Sequence, residues 1–559
     1  MPSYKAPLQD MFFILEDVFN LADHCQQIPF YQHIDPDIFE PVLEEAAKFT
    51  ENNLLSINQS GDLEACQFEN GQVYTPSGFK NAYQRFVSDG WLSLNADPEF
   101  GGQGLPKMLQ VFLDEMLCST NVSFSLYTVL TQGAYHLLHL HGSDQLKQAY
   151  LPKLVSGVWS GTMCLTESHA GSDLSLIRTK AVPQQDDTYK ISGTKIFITS
   201  GEHDLTENII HMVLARLPDA PPGVKGISVF LVPKYLINSD GSLGDRNAVF
   251  CGSIEHKMGI KASSTCVMNF EDATGYLIGK LHHGIETMFS MMNLERLNIG
   301  LEGLGLAEIA YQNALTYAKE RKQGRSGTHT QSNKEADPLI CHPDIRKMLL
   351  SIKSFTEGAR MMAAWIANQI DITQHHTDPA QIEIAENIVS LLTPVVKAFF
   401  TDHGFYSCNL ALQIFGGHGY IREWGIEQYV RDARISQIYE GTNGIQAIDL
   451  IKRKLIANKG KYIQQLITLI EAFMLENPPD FEFNTPLKTA LTTLNDVSAW
   501  ILKQSDHTNL VGGAAVDYLK LVGLVVFAYL WALSSKIALE KHDKNDAKDF
   551  YSAKIQTAR

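Results

Sequence analysis

The sequence predicts an α+β multidomain protein in which a β domain lies between helical domains. At 559 residues the chain is too long to fold around one hydrophobic core, so roughly two to four domains are expected. Apolar residues recur at helical spacing on both sides of a central stretch of short alternating segments. The hydrophobic content of 45% and the charged content of 19% are typical of folded globular proteins.

The first 160 residues are predicted to be helical, in two parts. Residues 1–34 form an N-terminal helical extension, with the apolar spacing of an amphipathic helix docked on the body of the protein. They lack the basic start of a secretory signal. Residues 35–160 form an N-terminal α domain, which the glycine- and proline-rich loop of residues 96–106 interrupts.

Residues 161–281 are predicted to form a middle β domain, either a barrel or a sandwich. Turn residues separate short apolar or alternating runs of the kind that strands show. These runs are residues 189–192, 195–198, 209–214 and 226–232.

The remainder is predicted to be helical. Residues 282–456 form a C-terminal α domain, in which residues 300–319 have the clearest helical pattern. Residues 324–337 and 374–379 are expected to be loops within it. Residues 457–559 form an additional helical domain.

The charge and the cysteines exclude several classes of function. A net charge of −16 and a pI near 5.6 argue against a nucleic-acid-binding protein, which would show a basic surface. The eight cysteines are scattered, contain no CxxC pair and have no zinc spacing, so they are expected to be reduced, mostly buried thiols. No metal site is predicted. The longest apolar run, residues 521–533, is shorter than the roughly 20 residues of a membrane span, and a buried helix is expected there.

Three polar, turn-rich stretches are candidates for a functional site. IYEGTNGIQ (residues 438–446) places Glu440 between an aromatic residue and a glycine. CLTESHAGSD (residues 164–173) combines hydroxyls with small residues, as loops that cradle phosphates do. QIFGGHGY (residues 413–420) follows a helix, where glycines can cap the helix or let a ligand approach the backbone. Each composition, taken alone, is equally typical of a solvated turn.

Together these stretches resemble the acyl-CoA dehydrogenase family of flavoproteins. TESHAGSD, KIFITSG, QIFGGHGY and YEGTNGIQ occur in the family's order between about residues 35 and 455, within the same helical, β, helical arrangement. The N-terminal and C-terminal helical extensions resemble those of the larger bacterial members. These members include enzymes that act on 3-methylthiopropionyl-CoA and on long or aromatic acyl-CoAs.

The resemblance implies α,β-dehydrogenation of an acyl-CoA thioester to the trans-2-enoyl-CoA. Glu440 matches the carboxylate that takes the α proton while the β hydride passes to flavin N5. Exclusion of water should raise the pKa of Glu440 toward neutrality. Glu295 is the alternative base, because some members keep their acid at that position. A glutamate followed by an arginine on a helix is, however, most often a surface ion pair.

The resemblance also implies binding residues for FAD and for the substrate. Those matching FAD contacts are Leu165, Thr166, Gly171, Ser172, Phe197, Ile198, Thr199, Arg321, Gln413, Gly416, Gly417, Gly441, Thr442 and Asn443. Those matching substrate contacts are Ser172, Asn293, Arg296, Tyr439 and Glu440.

The chain departs from the family pattern at three places. Phe197 stands where most members have tryptophan, which keeps an apolar stacking surface and loses an indole N–H. The segment after Arg321 lacks the usual aromatic residue near Gly324, which affects adenine packing. Gln428 replaces a lysine or arginine, a change expected to concern helix packing.

Partners and location follow from the same resemblance. An electron-transfer flavoprotein is the expected electron acceptor; the alternative is an acyl-CoA oxidase that uses oxygen. A DNA-binding relative with little dehydrogenase activity is a further alternative, which the acidic chain disfavours. Because FAD is shared across subunits in the family, a homodimer is expected, in the bacterial cytoplasm and in fatty acid β-oxidation. The acyl group is not set, because methionines near its pocket, Met288, Met291 and Met292, adapt to many shapes.

Overall fold

The computed structural model describes residues 2–326, 336–542 and 547–559, and these divide into two compact units. The helical unit contains the described residues of Met1–Lys48, Pro106–Thr120 and Arg296–Arg559. The mixed unit comprises Phe49–Leu105 and Asn121–Glu295, and it holds all the strands that the described residues form. Each unit is described by itself.

Helices dominate the described chain and include several of more than 30 residues. They are α1 (Leu8–Phe12), α2 (Leu21–Gln27), α3 (Phe39–Phe49), α4 (Leu55–Glu64), α5 (Phe79–Ser88), α6 (Lys107–His141), α7 (Asp144–Val155), α8 (Gly284–Glu320), α9 (Pro343–His375), α10 (Pro379–Phe415), α11 (Ile426–Arg434), α12 (Asn443–Asp449), α13 (Lys461–Glu476), α14 (Asn484–Lys503), α15 (Thr508–His542) and α16 (Lys548–Ala558).

The strands form one large sheet and two small ones. They are β1 (Gln67–Glu69), β2 (Gln72–Tyr74), β3 (Trp159–Cys164), β4 (Lys180–Pro183), β5 (Tyr189–Thr199), β6 (Asn208–Arg216), β7 (Ile227–Pro233), β8 (Tyr235–Ile237), β9 (Leu243–Arg246), β10 (Val249–Ile254) and β11 (Thr265–Ile278). In the seven-stranded sheet, β11 pairs with β5, β5 with β4, β4 with β6, β6 with β7, and β7 with β11 again. The sheet therefore closes on itself, with β10 and β3 added at its sides, and the barrel alternative of the prediction is the one observed.

The predicted order of helical, β and helical segments is confirmed. The predicted helix at residues 300–319 lies within α8, and the predicted strand runs lie within β5, β6 and β7, except that Gly226 precedes β7. The loop predicted at residues 374–379 is the short connection between α9 and α10. Of the loop predicted at residues 324–337, residues 327–335 lie outside the described part of the chain.

One hairpin interrupts the segment that was predicted to be wholly helical. Strands β1 and β2 pair in antiparallel fashion, with Glu69 opposite Gln72. Asn70 and Gly71 connect them with φ values of 51° and 80°. An Asn-Gly pair with both φ values positive is the preferred two-residue hairpin turn, so this dipeptide was the signal that the helical interpretation overlooked.

Charged side chains hold the two ends of the chain inside the helical unit. Arg360 on α9 donates to both carboxylate oxygens of Glu115 at 2.6–3.0 Å, to Glu308 at 3.0 Å and to Asp10. Lys554 on α16 donates to Asp10 and, at 2.6 Å, to Glu357. We call this group the Arg360 cluster: Asp10, Glu115, Glu308, Glu357, Arg360 and Lys554. It ties α1 and α16 to the long helices.

Two described helices, α10 and α15, have the length and composition to cross a membrane. In the structure 78% of the apolar stretch in the first and 50% of that in the second is buried. The run at residues 521–533 lies in α15, where Phe527 packs against Phe399 of α10 with ring centroids 5.0 Å apart. The core helix of a folded protein has the same composition, as expected from the sequence.

Candidate active site

Glu440 lies on a tight turn of the helical unit, immediately before α12. Its φ is 53° and that of Gly441 is 84°, so two consecutive residues adopt the left-handed conformation. Glycine accepts this conformation readily, whereas for a glutamate it is uncommon and has to be held by the surroundings. The turn therefore fixes the position of one carboxylate at a cost in backbone energy.

Two buried side chains hold this turn through its carbonyl groups. Gln446 Nε2 donates to the Glu440 carbonyl at 3.0 Å and to that of Gly441 at 3.3 Å. Lys397 Nζ, from α10, donates to the Gly441 carbonyl at 2.9 Å and to Asn443 Oδ1 at 2.8 Å. Both side chains are fully buried, so these bonds are shielded from water.

Thr442 and Asn443, predicted to contact FAD, make bonds within the turn. Thr442 Oγ1 accepts from the Ile445 backbone N–H at 3.3 Å and so caps the N-terminus of α12. Asn443 Nδ2 donates to Thr401 Oγ1 at 3.0 Å and to Asp402 Oδ1 at 2.7 Å. Both residues thus shape the turn.

Ionisable groups of both signs surround Glu440, which is itself half-buried. Burial raises the pKa of Glu440 to about 7, although the charges of Lys397 and Arg296 oppose the rise. Burial also raises the pKa of Glu302 to about 8, against the hydrogen bond that Tyr439 donates to it. We call this group the Glu440 cluster: Arg296, Glu302, Lys397, Asp402, Tyr439 and Glu440. A carboxyl group with a pKa near 7 is suited to act as a base at neutral pH.

Lys397 and Glu302 were not predicted as site residues, yet the sequence carried a signal for both. Lys397 is one charge within the apolar run of residues 394–400, and Glu302 lies within the run of residues 301–306. Charged residues are almost never fully buried unless they are paired. A lone charge on the apolar face of a core helix therefore indicates a buried partner, but it does not identify that partner.

The interpretation of Glu295 and Arg296 as a surface ion pair was wrong. Both residues are buried, with 1% and 4% of their surface exposed. Arg296 Nη1 donates to Asp449 Oδ2 at 3.1 Å, and Asp449 also accepts from Arg453 at 3.1 Å. Glu295 belongs to the mixed unit, where the absence of a side chain at Gly133 leaves room for its carboxyl group. Helix position alone could not separate a solvent-facing pair from two buried charges with different partners.

Phe197 occupies a bulge in β5 of the mixed unit. Cys266 pairs with Ile198 and Met268 with Lys195, so that Ile196 and Phe197 oppose one residue of β11. Phe197 has a φ of 60° and is 59% exposed, whereas Ile198 is buried. The bulge thus turns a large aromatic side chain outward, as bulges beside functional sites often do.

The loop that begins at Leu165 is anchored beside this bulge. Lys195 Nζ donates to the Leu165 carbonyl at 2.9 Å, and the Ile196 N–H donates to the Thr166 carbonyl at 2.9 Å. Glu167 accepts from Lys195 at 2.9 Å, and although burial acts in the other direction, Lys195 and the hydrogen bonds of Glu167 lower its pKa to about 2. The ionised Glu167 therefore serves to fix the loop.

The same region fits a flat aromatic cofactor. Thr166 and Thr199 are half-buried, and Gly171 and Ser172 are exposed. A Cβ added at Gly171 would meet only Thr166, at 3.7 Å, so the face of the loop there is open. An exposed aromatic ring, hydroxyl groups and an open glycine are what a flavin ring and its polar edge require.

The predicted residues around the glycine turn of the helical unit are exposed. Gln413, Gly416, Gly417 and Arg321 all face solvent, and a Cβ on either glycine would meet nothing within 4 Å. Aromatic side chains pack against one another beside this turn.

Tyr317 stacks on Phe415 with centroids 4.3 Å apart, His418 stacks on Trp424 at 4.4 Å, and Tyr317 OH lies 2.9 Å from His418 Nδ1. The turn is therefore rigidly presented, with room for a ligand.

The remaining predicted residues are placed as follows. Asn293 is exposed, whereas Met288 and Met291 are fully buried in the core of the mixed unit. Gln428 is buried in α11 and donates to Asp432 at 3.2 Å, which supports a packing role for this departure from the pattern. All eight cysteines are free, and Cys341 alone is not fully buried.

Comparisons with known proteins identify the family. Models of the N-terminal, middle and C-terminal domains of acyl-CoA dehydrogenases match residues 40–158, 162–273 and 282–455. A model described as "Acetyl-CoA dehydrogenase C-terminal like" matches residues 466–559. A 3-methylmercaptopropionyl-CoA dehydrogenase from Ruegeria pomeroyi is 41% identical over 564 residues, covering 100% of this chain and 95% of the relative. The chain belongs to the acyl-CoA dehydrogenase family.

Two more distant similarities extend this result. The broad-specificity linear acyl-CoA dehydrogenase FadE5 of Mycobacterium tuberculosis is 33% identical, covering 100% of this chain and 95% of the relative. The structure of an acyl-CoA dehydrogenase from Bacillus anthracis in complex with FAD superposes with a TM-score of 0.74 at 20% identity, covering 100% of this chain and 90% of the other. The second similarity concerns the fold, including the additional C-terminal helices.

Family membership confirms the enzyme class that the motifs predicted. The protein is an FAD-dependent oxidoreductase of acyl-CoA metabolism, and its substrate is an acyl-CoA. The assignment of individual residues, the electron acceptor and the acyl group are matters of proposal.

Proposed function

We propose that Glu440 is the base that removes the α proton of a bound acyl-CoA during its dehydrogenation to the trans-2-enoyl-CoA. The observation that carries this proposal is the placement of a half-buried carboxyl group, with its pKa raised to about 7, on a left-handed turn held by Lys397 and Gln446. The Glu440 carboxylate accepts the proton, and its own backbone N–H is the proposed donor to the thioester oxygen, where negative charge develops. FAD, when bound, supplies the acceptor for the β hydride.

The residues proposed to hold FAD and the acyl-CoA are those that the family resemblance implies. In the mixed unit the FAD residues are Leu165, Thr166, Gly171, Ser172, Phe197, Ile198 and Thr199, and in the helical unit they are Arg321, Gln413, Gly416, Gly417, Gly441, Thr442 and Asn443. The substrate residues are Ser172, Asn293, Arg296, Tyr439 and Glu440. The division into residues 1–34, 35–160, 161–281, 282–456 and 457–559, a homodimeric state and a bacterial cytoplasmic location are part of the same proposal.

The electron acceptor is proposed to be an electron-transfer flavoprotein. The test is to reduce the enzyme anaerobically with an acyl-CoA and then to mix it with this flavoprotein or with oxygen. Reoxidation by the flavoprotein at a much higher rate than by oxygen supports the proposal. The reverse order of rates would make the enzyme an oxidase.

The experiment that tests the base is an anaerobic titration with a panel of acyl-CoAs, followed by flavin absorbance. The panel runs from short to long chains and includes a methylthio member, because of the 41% identical relative, and an aromatic member. The wild type should bleach, and Glu440→Gln should lose about 10²–10⁴-fold or more of the bleaching rate, as expected for a positioned proton acceptor.

The matched control is Glu295→Gln, which removes the other buried candidate acid. It should bleach at a rate within a few-fold of the wild type. Retained bleaching in Glu440→Gln together with its loss in Glu295→Gln would transfer the role of base to Glu295.

A further inference from the structure

Lys397 reaches from the long helix α10 to the backbone of the turn that carries Glu440. It projects from α10 and is completely buried. Its two hydrogen bonds end on the turn itself, at the Gly441 carbonyl and at Asn443 Oδ1. Asn443 is fixed in turn by Thr401 and Asp402, which lie one helical turn further along α10.

The turn requires such support because its backbone conformation is unfavourable. A left-handed conformation is unfavourable for a residue other than glycine because its Cβ comes too close to the following carbonyl oxygen. At Glu440 that cost is offset only while the carbonyl groups of the turn keep their donors, Lys397 and Gln446. Removal of either donor should let the Glu440 carboxyl group leave its position.

Lys397 also contributes charge. Burial lowers the pKa of Lys397 to about 8, although the charges of Glu440, Glu302 and Asp402 oppose this. The charges of Lys397 and Arg296 lower the pKa of Glu440, and the charge of Glu440 in turn raises the pKa of Glu302. Arg296 is itself bonded to Asp449, whose other oxygen accepts from Arg453. The positive charge of Arg296 is thus shared with a carboxylate, while the hydrogen bonds of Lys397 described above go to neutral acceptors.

We propose that Lys397 is a positioning residue for the base: its two hydrogen bonds from α10 fix the turn that carries Glu440, and its ammonium group places a positive charge near the Glu440 carboxyl group. This inference rests on the proposed function of Glu440. It assigns two separable tasks to one side chain. The geometric task needs the reach of a lysine, and the electrostatic task needs only a positive charge.

The test uses Lys397→Met and Lys397→Arg in the full-length FAD-loaded protein, with two readouts. The first is the pH at which the rate of flavin bleaching is half-maximal. The second is the protonation midpoint of Glu440 by infrared difference titration, with the carboxyl band assigned by its absence in Glu440→Gln. The second readout does not depend on turnover.

Loss of the positive charge should raise the pKa of Glu440, so both midpoints should move to higher pH in Lys397→Met. A shift of about one pH unit or more is expected for removal of a nearby opposite charge. Because the ionised form is the base and Glu440 is about half ionised at pH 7, the bleaching rate at that pH should fall at least about fivefold. Lys397→Arg should keep both midpoints near those of the wild type but lower the maximal rate, since the guanidinium group cannot reproduce the two bonds.

The matched control is Lys454→Met. Lys454 is partly buried in the same unit and donates to Ser390 Oγ at 2.7 Å, away from the turn. In Lys454→Met, the midpoint of flavin bleaching and the protonation midpoint of Glu440 should both equal those of the wild type.

If Glu440→Gln is inactive but Lys397→Met keeps the midpoints and the rate of the wild type, the inference is overturned. Glu440 would still be the base in that case. Full bleaching by Glu440→Gln would overturn the proposed function and this inference with it. If Lys397→Met does not fold, Lys397→Arg decides: a midpoint shift as large as one pH unit despite the retained charge would overturn the inference.

Discussion

Two groups of buried charges in the helical unit contain the same residue types but bond to different kinds of partner. In the Arg360 cluster the cations bond directly to carboxylates, with Arg360 reaching Glu115, Glu308 and Asp10. In the Glu440 cluster Lys397 bonds to a carbonyl and an amide oxygen instead. In the Arg360 cluster the carboxylates bond directly to cations of the same cluster. In the Glu440 cluster the bonds of Lys397 go to the turn and not to the Glu440 carboxyl group.

The contrast shows that a raised pKa alone does not identify a catalytic base. Burial raises the pKa of Glu115 to about 7, the same value that Glu440 reaches. Glu115 is nevertheless bonded through both oxygens to Arg360 and is buried on all sides. Glu440 keeps partial access to solvent and stands on a left-handed turn. Partner geometry, more than the pKa, therefore favours Glu440 over Glu115 as the proposed base.

The largest effect on stability is expected from Arg360→Met. It leaves Glu115 and Glu308 buried without their cation and Asp10 with Lys554 alone, and breaking a buried pair in this way costs about 3–5 kcal/mol. Urea unfolding should show this loss, while the pH midpoint of flavin bleaching in the folded fraction should not change. Arg559→Gln, in an ion pair with Glu482 that is largely exposed, is the control and should change the free energy of unfolding very little. A displaced bleaching midpoint in Arg360→Met would mean that the two clusters are coupled.

The next largest effect is a dependence of the free energy of unfolding on pH, which Glu302 introduces. Its pKa is raised from an ordinary value of 4.5 to about 8, so the folded state holds a proton that the unfolded state releases between these values. The wild type should therefore lose stability progressively as the pH rises from 4.5 to 8. Glu302→Gln should remove this part of the slope, becoming more stable than the wild type at pH 8 and no more stable at pH 4.

Urea midpoints at a series of pH values measure the slope for Glu302. Glu482→Gln, at an exposed site, serves as the control and should leave the slope unchanged. Parallel pH curves for Glu302→Gln and the wild type would show that Glu302 is ionised throughout.

The smallest effect is expected from Gln446→Leu, which leaves the Glu440 and Gly441 carbonyls with fewer donors. The loss of buried hydrogen bonds should lower the free energy of unfolding by about 1–3 kcal/mol. The maximal bleaching rate should fall without a shift of its pH midpoint, because Gln446 carries no charge. Gln32→Leu, which removes an exposed bond to the Gln26 carbonyl, is the matched control. Equal stability of the two variants would show that the turn is held by Lys397 alone.

Much of the architecture could be predicted because it depends on local periodicity. Helix α8 and strands β5 to β7 follow from apolar spacing within their own segments. The hairpin of β1 and β2 was missed although its Asn70-Gly71 turn is a local signal. The bulge at Phe197 could not be predicted from the neighbouring residues. It depends on the register of β5 against β11, which lies about 70 residues later in the chain.

The sequence by itself determined the family, the cofactor, the order of the domains and the position of an acid in a glycine-containing turn. It could do so because motifs and periodicity are properties of neighbouring residues. Only the tertiary structure decided that Lys397 and Glu302 surround Glu440, and that Arg296 is buried against Asp449. These contacts join residues far apart in the chain, and the pKa of each group is set by burial and by the charges that folding brings next to it.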